Sequence, residues 1–243
     1  MIYGLISDIH ANLEACEAVL ADLTGVDAYL CLGDLVGYGP DPGACLERVR
    51  RLPGLICVVG NHDLAAAGRY DLNWFNPHAR AAIEWTARQL TAEQKAYLAA
   101  LPLTAEVGRA ILVHGSLPDH MEYLATVQNA LACFDAMPRP LCFIGHTHIA
   151  ECFRRRGASL RCDQVSLLTG GEIALEAPLR CIVNPGSVGQ PRDGNPDASY
   201  GIWDTEACLI EIRRMTYDVA AVQKKMRQAG LPSYLADRLS RGG

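Results

Sequence analysis

Short apolar runs that stop abruptly at polar residues recur along the first sixty positions. Residues 2–7, 28–32 and 55–59 each have the length of a buried strand. Between them, residues 12–23 and 42–51 carry apolar positions at helical spacing, with Asn12 placed as an N-cap. Strand, helix, strand, helix, strand predicts parallel pairing with crossover helices. Residues 77–101 then read as two helices. The second opens at Thr91 with Gln94 three positions on, a capping-box pattern. This segment, counted from about residue 64, is placed to cap a site or to pack on a sheet.

Beyond residue 110 strands dominate. Residues 110–114, 141–144, 150–155, 179–184, 200–204 and 209–215 look extended. Helices are expected at 126–137, 218–229 and 231–239. No internal repeat breaks the pattern. The expected fold is an α/β (α+β) sandwich: two packed mixed β-sheets flanked by helices, in one domain over residues 1–243.

The bulk numbers narrow the function. The 243 residues are half apolar and 20% charged, enough to bury a sizeable core. Net charge is −5. An acidic chain has no general attraction to nucleic acid or to anionic membranes. An anionic substrate must therefore be held locally, by metal ions or a few cations. No apolar segment is long enough to span a bilayer, and the N-terminus lacks the basic region of a signal peptide. Ten cysteines are present, none in a C-x-x-C pair. Cys31, Cys57, Cys142 and Cys181 sit inside apolar runs, so buried reduced thiols and a cytoplasmic location are expected.

Five polar clusters follow the strand-like runs: Asp8-Ile9-His10, Gly33-Asp34, Gly60-Asn61-His62-Asp63, His114-Gly115 and Gly145-His146-Thr147-His148. In open α/β sheets, sites form outside the carboxyl ends of strands. Asp8 and His10, like His146 and His148, stand two apart, which in an extended segment points both side chains the same way. Two carboxylates, one amide oxygen and four imidazoles exceed what one catalytic zinc takes. They suit two cations sharing a carboxylate, the usual arrangement for in-line displacement at phosphorus.

The ordered set D-x-H, G-D, G-N-H-D, H and G-H-x-H resembles the calcineurin-like metallophosphoesterase superfamily, and within it the small phosphodiesterases of the YfcE type. The resemblance implies that Asp8, His10 and His148 hold one metal. Asn61, His114 and His146 hold the other, and Asp34 bridges. His62 is implied to sit beside the scissile phosphate as a catalytic non-ligand, with Asp63 orienting it and raising its pKa. The implied activity is hydrolysis of phosphodiesters, or of small phosphomonoesters, by a hydroxide shared between the ions. Manganese or iron is expected first, with zinc, nickel or cobalt also suited to the ligands. The expected partner is a small phosphoester.

One motif departs from relatives. Protein phosphatases and dinucleoside tetraphosphatases of the superfamily carry G-D-x-V-D-R-G, where the arginine clamps phosphate. Here the stretch reads Gly33-Asp34-Leu35-Val36-Gly37-Tyr38-Gly39, with Tyr38 in the arginine's place. A replacement cation is Arg192, in Asn184-Pro185-Gly186-Ser187-Val188-Gly189-Gln190-Pro191-Arg192. That loop can offer backbone N–H groups and a bidentate donor to phosphate, or be a plain turn. Tyr38, Trp74, Phe75 and His78 are placed to line a pocket or to pack in the core. Arg154-Arg155-Arg156 reads as a solvated strand end. Two other functions fit the same fold: a DNA nuclease of the SbcD type, and a non-catalytic scaffold like the retromer subunit.

Overall fold

The computed structural model describes all 243 residues. The chain opens with β1 (Ile2–Ile6), α1 (Leu13–Asp22), β2 (Ala28–Cys31), α2 (Pro42–Val49) and β3 (Ile56–Cys57). β1 pairs parallel to β2, and β2 parallel to β3. Then come α3 (Asn61–Ala66), α4 (Pro77–Gln89), α5 (Ala92–Ala100), β4 (Thr104–Val107), β5 (Ala110–Val113), α6 (Val127–Ala136) and β6 (Leu141–Phe143). The remainder is β7 (Ala150–Arg156), β8 (Asp163–Ser166), β9 (Gly171–Ala174), β10 (Leu179–Pro185), β11 (Ala198–Asp204), β12 (Leu209–Met215), α7 (Val219–Gln228) and α8 (Ser233–Asp237).

The strands form two mixed six-stranded sheets, ordered β3-β2-β1-β11-β12-β9 and β4-β5-β6-β10-β7-β8. One core lies between them. Tyr3, Leu5, Leu30 and Trp203 of the first sheet meet Leu112, Phe143, Cys152 and Val183 of the second. The intervening residues face outward and are covered too. Ile6 and Cys31 pack under α1 and α2. Ile111, Cys142, Phe153 and Ile182 pack under α6. Burial on both faces is why these strands read as unbroken apolar runs rather than as alternation.

The caps fall where the side chains dictate. Asn12 accepts from the Ala15 N–H at 3.1 Å, and Thr91 and Gln94 close a reciprocal capping box at 3.2 and 3.1 Å. Arg155 differs from the expected solvated strand end. It is 6% exposed, donates to Asp135 at 2.7 Å and lies 5.0 Å over the Phe134 ring. Its long apolar stem favours that packing under α6. All ten cysteines are unpaired, and eight are buried. No helix is long and apolar enough to cross a membrane.

Candidate metal centre

Each of the five polar clusters leaves the carboxyl end of a strand in the parallel parts of the two sheets. Asp8 and His10 follow β1, Asp34 follows β2, and Asn61 follows β3. His114 follows β5, and His146 and His148 follow β6. The side chains converge for a reason other than strand alternation. Asp8, His10, Ala11, Asp34, Tyr38, His146 and His148 all have positive φ, between 47° and 68°. The only other such non-glycine residue in the chain is Cys208. Each such residue costs about 1–3 kcal/mol and persists only where its surroundings fix it. Here backbone bonds do so: Asp8 N–H to Gly33 O at 3.0 Å, His10 N–H to Asp34 O at 2.9 Å and Ala11 N–H to Leu35 O at 2.9 Å. The left-handed kinks turn the loops after β1 and β2 toward each other.

The seven expected donors form two groups that share one carboxylate. Asp8, His10, Asp34 and His148 bring one ligand atom each to within 4.8 Å of one another, and so do Asp34, His114 and His146. Asn61 Oδ1 lies 3.2 Å from His114 Nε2, which adds it to the second group. Asp34 Oδ2 is sealed from solvent without a hydrogen-bond donor. It stands 3.5 Å from His10 Nε2 and 3.3 Å from His114 Nε2. Its other oxygen accepts the His62 N–H at 2.9 Å.

The tautomers fit cation binding. His10 Nδ1 faces Val36 O at 3.1 Å, His114 Nδ1 faces Leu32 O at 2.7 Å, and His148 Nδ1 faces Gln190 O at 2.6 Å. Donation to these carbonyls places each lone pair on Nε2. His10 Nε2 then faces His148 Nε2 at 3.1 Å, and His114 Nε2 faces His146 Nδ1 at 3.1 Å. Buried nitrogens opposed in this way need a proton or a cation between them. Burial drives His146 down to about 3 and lowers His10 and His148 as well. For His114 burial also acts downward, but the Asp34 carboxylate outweighs it and the value rises to about 10. A cation on Nε2 must displace that proton. The donor set therefore fits two divalent ions.

His62 and Asp63 depart from expectation. Asp63 sits in the first turn of α3, where its carboxylate accepts the Val36 N–H at 3.1 Å and the Gly60 N–H at 3.2 Å. Both oxygens are used, and neither reaches the imidazole. Asp63 braces the two loops and does not orient His62. The His62 pKa moves down, not up: burial lowers it to about 4 against the raising effect of Asp34. The ring is held by its neighbours instead. Tyr38 lies 4.4 Å from it, Phe75 stands edge-on at 4.9 Å, and a Cβ on Gly37 would come within 2.5 Å of Nδ1. Gly37 thus makes room for the imidazole.

The loop after β10 also serves a different purpose from the one expected. Its amides are spent within the protein. Val188 N–H binds Ser7 O at 2.9 Å, Gly189 N–H binds Asp8 O at 2.9 Å, and Arg192 N–H binds His148 O at 3.1 Å. The Ser187 hydroxyl donates to Asp8 O at 2.8 Å. The loop buttresses metal ligands. Its arginine does approach Tyr38, the residue in the missing arginine's place: Arg192 donates to the Tyr38 hydroxyl at 3.2 Å and to the Tyr123 hydroxyl at 3.4 Å. It has no carboxylate partner, and its Nε is buried and unpaired.

A cavity of about 500 Å³ opens directly on the centre, with Asn61, His62 and His146 on its floor. Tyr38, Trp74 and Phe75 line it, one of the two placements the sequence left open; His78 does not, and stacks on Tyr234 at 5.0 Å instead. Arg192 stands behind Tyr38 and Tyr123 rather than on the wall. Of residues 64–101, only the stretch from Tyr70 to Ala79 borders the cavity. α5 packs on α3 instead and reaches α2 through Gln94, which donates to Glu47 at 3.3 Å. Tyr70, Asp119, Glu122 and Tyr123 are wall residues that the sequence did not mark; the Tyr123 ring stacks on His146 at 3.9 Å.

A dinuclear donor set at the strand ends of a two-sheet sandwich defines a class of hydrolase, and similarity to known proteins agrees. The model of the calcineurin-like phosphoesterase superfamily domain matches residues 1–207, and the chain belongs to that superfamily. It is similar to a metallophosphoesterase from Sphaerobacter thermophilus, at 44% identity and a TM-score of 0.91, with 100% of this chain and 99% of that chain covered. It is 39% identical to an uncharacterized protein of Methanocaldococcus jannaschii, over 98% of this chain and 97% of the other. A hypothetical protein from Pyrococcus horikoshii has the same fold at 18% identity, with a TM-score of 0.80 and coverage of 100% and 98%.

Proposed function

We propose that this protein is a metal-dependent hydrolase of phosphodiesters, with small phosphomonoesters as its second substrate class. The observation that carries the reading is Asp34 Oδ2, buried without a donor between two clusters of lone pairs. Asp8, His10 and His148 would hold one ion, Asn61, His114 and His146 the other, with Asp34 shared. Such ions, when bound, supply an acidified water and neutralise charge on the phosphate. The chain's own residues do the rest. Ser7 donates to Asp8 Oδ2 at 2.6 Å and fixes the carboxylate's orientation. His62 is neutral near pH 7, with Nδ1 sealed against Gly37 and the rest of the ring on the cavity floor. It can donate one hydrogen bond to a phosphate or leaving oxygen. Arg192 adds positive charge behind Tyr38 and Tyr123, and the bonds it donates to their hydroxyls fix the two rings beside the site.

The imidazole and carboxylate donors suit manganese or iron, with zinc, nickel and cobalt as alternatives. Ten unpaired thiols support a reducing, cytoplasmic setting. The test is turnover of bis-p-nitrophenyl phosphate with Mn²⁺, Fe²⁺, Ni²⁺ or Zn²⁺ added. Turnover with at least one metal, abolished by chelation, is expected. No turnover with any of them sinks the reading.

A further inference from the structure

The cavity beside the metal centre carries more chemistry than phosphate hydrolysis needs. On one side the link between α3 and α4 presents Tyr70, Trp74 and Phe75, with the Tyr70 and Phe75 rings 5.9 Å apart. On the other side stands Tyr123. Trp74 is 79% exposed, and Tyr123 is 49% exposed. A monomer gains nothing in folding from leaving a tryptophan so open. Nor is it on a loose tail: it ends a 3-10 turn, Leu72–Trp74, capped by Asp71, whose carboxylate accepts the Asn73 N–H at 2.9 Å. Rings presented rigidly on two sides of one space are surfaces for a planar ligand.

The charge of the lining narrows the ligand. No lysine or arginine lines the cavity, whereas Asp119 and Glu122 do. Glu122 is a fixed acceptor, since its carboxylate is held by the Ser116 hydroxyl and the Asn129 amide, each at 3.1 Å. Anionic walls away from the metals repel a second phosphate. They attract neutral groups that carry hydrogen-bond donors. An alkyl chain satisfies the rings but offers the acids no donor for their remaining lone pairs. A bare sugar satisfies the acids but leaves the rings bare. A nucleoside has a planar base, ribose hydroxyls and no charge of its own, so it satisfies both. The volume of about 500 Å³ lies within the range of pockets that enclose ligands of this size.

We infer that the group esterified to the phosphate is a nucleoside, its base stacked among Trp74, Phe75 and Tyr123 and its donors facing Asp119 and Glu122. This rests on the phosphoesterase reading above, because that reading puts the phosphate on the cavity floor. Nucleosides bearing one phosphate are then favoured over polyphosphates.

Binding tests it without turnover. The Mn²⁺-loaded protein is titrated calorimetrically with the non-hydrolysable methylenephosphonate analogues of adenosine 5′-monophosphate, uridine 5′-monophosphate and ribose 5-phosphate, and with benzylphosphonate. At least one nucleoside analogue should bind about tenfold or more tighter than the ribose analogue, the size of a single base–aromatic stack. Trp74→Ala should shrink that ratio to within about threefold, and Trp74→Phe, which keeps a ring, should retain most of it. The exposed position means that neither change should unfold the protein. Equal binding of nucleoside and ribose analogues overturns the inference, as does no detectable binding of any of them. Benzylphosphonate binding as tightly as the nucleosides would put the rings at an aryl ester and also overturn it. Equal binding together with chelator-sensitive turnover of bis-p-nitrophenyl phosphate removes the nucleoside alone and leaves the phosphoesterase standing.

Discussion

Replacing His62 by alanine should lower kcat about 10²- to 10⁴-fold, the range of a lost proton donor or acceptor, while leaving bound metal unchanged. The donors do not include His62, and only its backbone N–H touches Asp34. Metal analysis beside steady-state kinetics separates the two roles. Loss of metal in the variant would make His62 a structural prop instead. At this scale the seven donors were legible because each stands where an apolar run stops. The purpose of Asp63 was not. It depends on α3 beginning at Asn61, and a six-residue helix opening with Asn-His-Asp carries no apolar periodicity to announce it. Tyr123 was hidden for another reason: it lies in an irregular stretch, and only the fold brings its ring onto His146.

Among the elements, the loop after β10 has the most at stake for the site. Gly189 packs where any side chain would overlap the Ile9 carbonyl oxygen, and its own N–H holds Asp8 O. Gly189→Ala should therefore shift Asp8 and weaken metal binding about 10- to 100-fold, as loss of a ligand's support does. Competition titration with a chelator measures it; wild-type affinity in the variant would mean the loop is a mere turn. The strands that the sequence did not reveal, β4, β8 and β9, are all edge strands. Thr104–Val107, Asp163–Ser166 and Gly171–Ala174 are short and each buries at most one residue, so no apolar run marks them. The remaining edge strand, β3, is only Ile56–Cys57, shorter than its apolar run. Central strands buried on both faces were legible throughout.

In the molecule as a whole, α1 is pinned to the first sheet by Asp22, which accepts from the buried Tyr200 hydroxyl at 2.5 Å and from Arg213 at 3.1 Å. The Tyr200 bond, then Arg213, holds the Asp22 carboxyl below its ordinary value of 3.8. A carboxylate lowered in the folded state stabilises above its unfolded pKa, and that contribution is lost as pH falls through the folded one. Tyr200→Phe keeps the ring packing and removes the donor. Its stability should fall less steeply than that of the wild type between about pH 5 and 3, as read by urea denaturation. Parallel curves would show that the bond has no linkage. The first sheet, to which Asp22 and Tyr200 pin α1, and the second sheet together bring ligands from β1, β2, β3, β5 and β6 to one point.

Asp34 is where those contributions meet, so metal content is the most direct measurement. Dialysed against excess Mn²⁺ and then desalted, the wild-type chain should retain about two ions, whereas Asp34→Asn, which withdraws charge from both clusters, should retain less than one. A wild type that holds one ion, or an Asp34→Asn chain that still holds two, would contradict a centre built around a shared carboxylate.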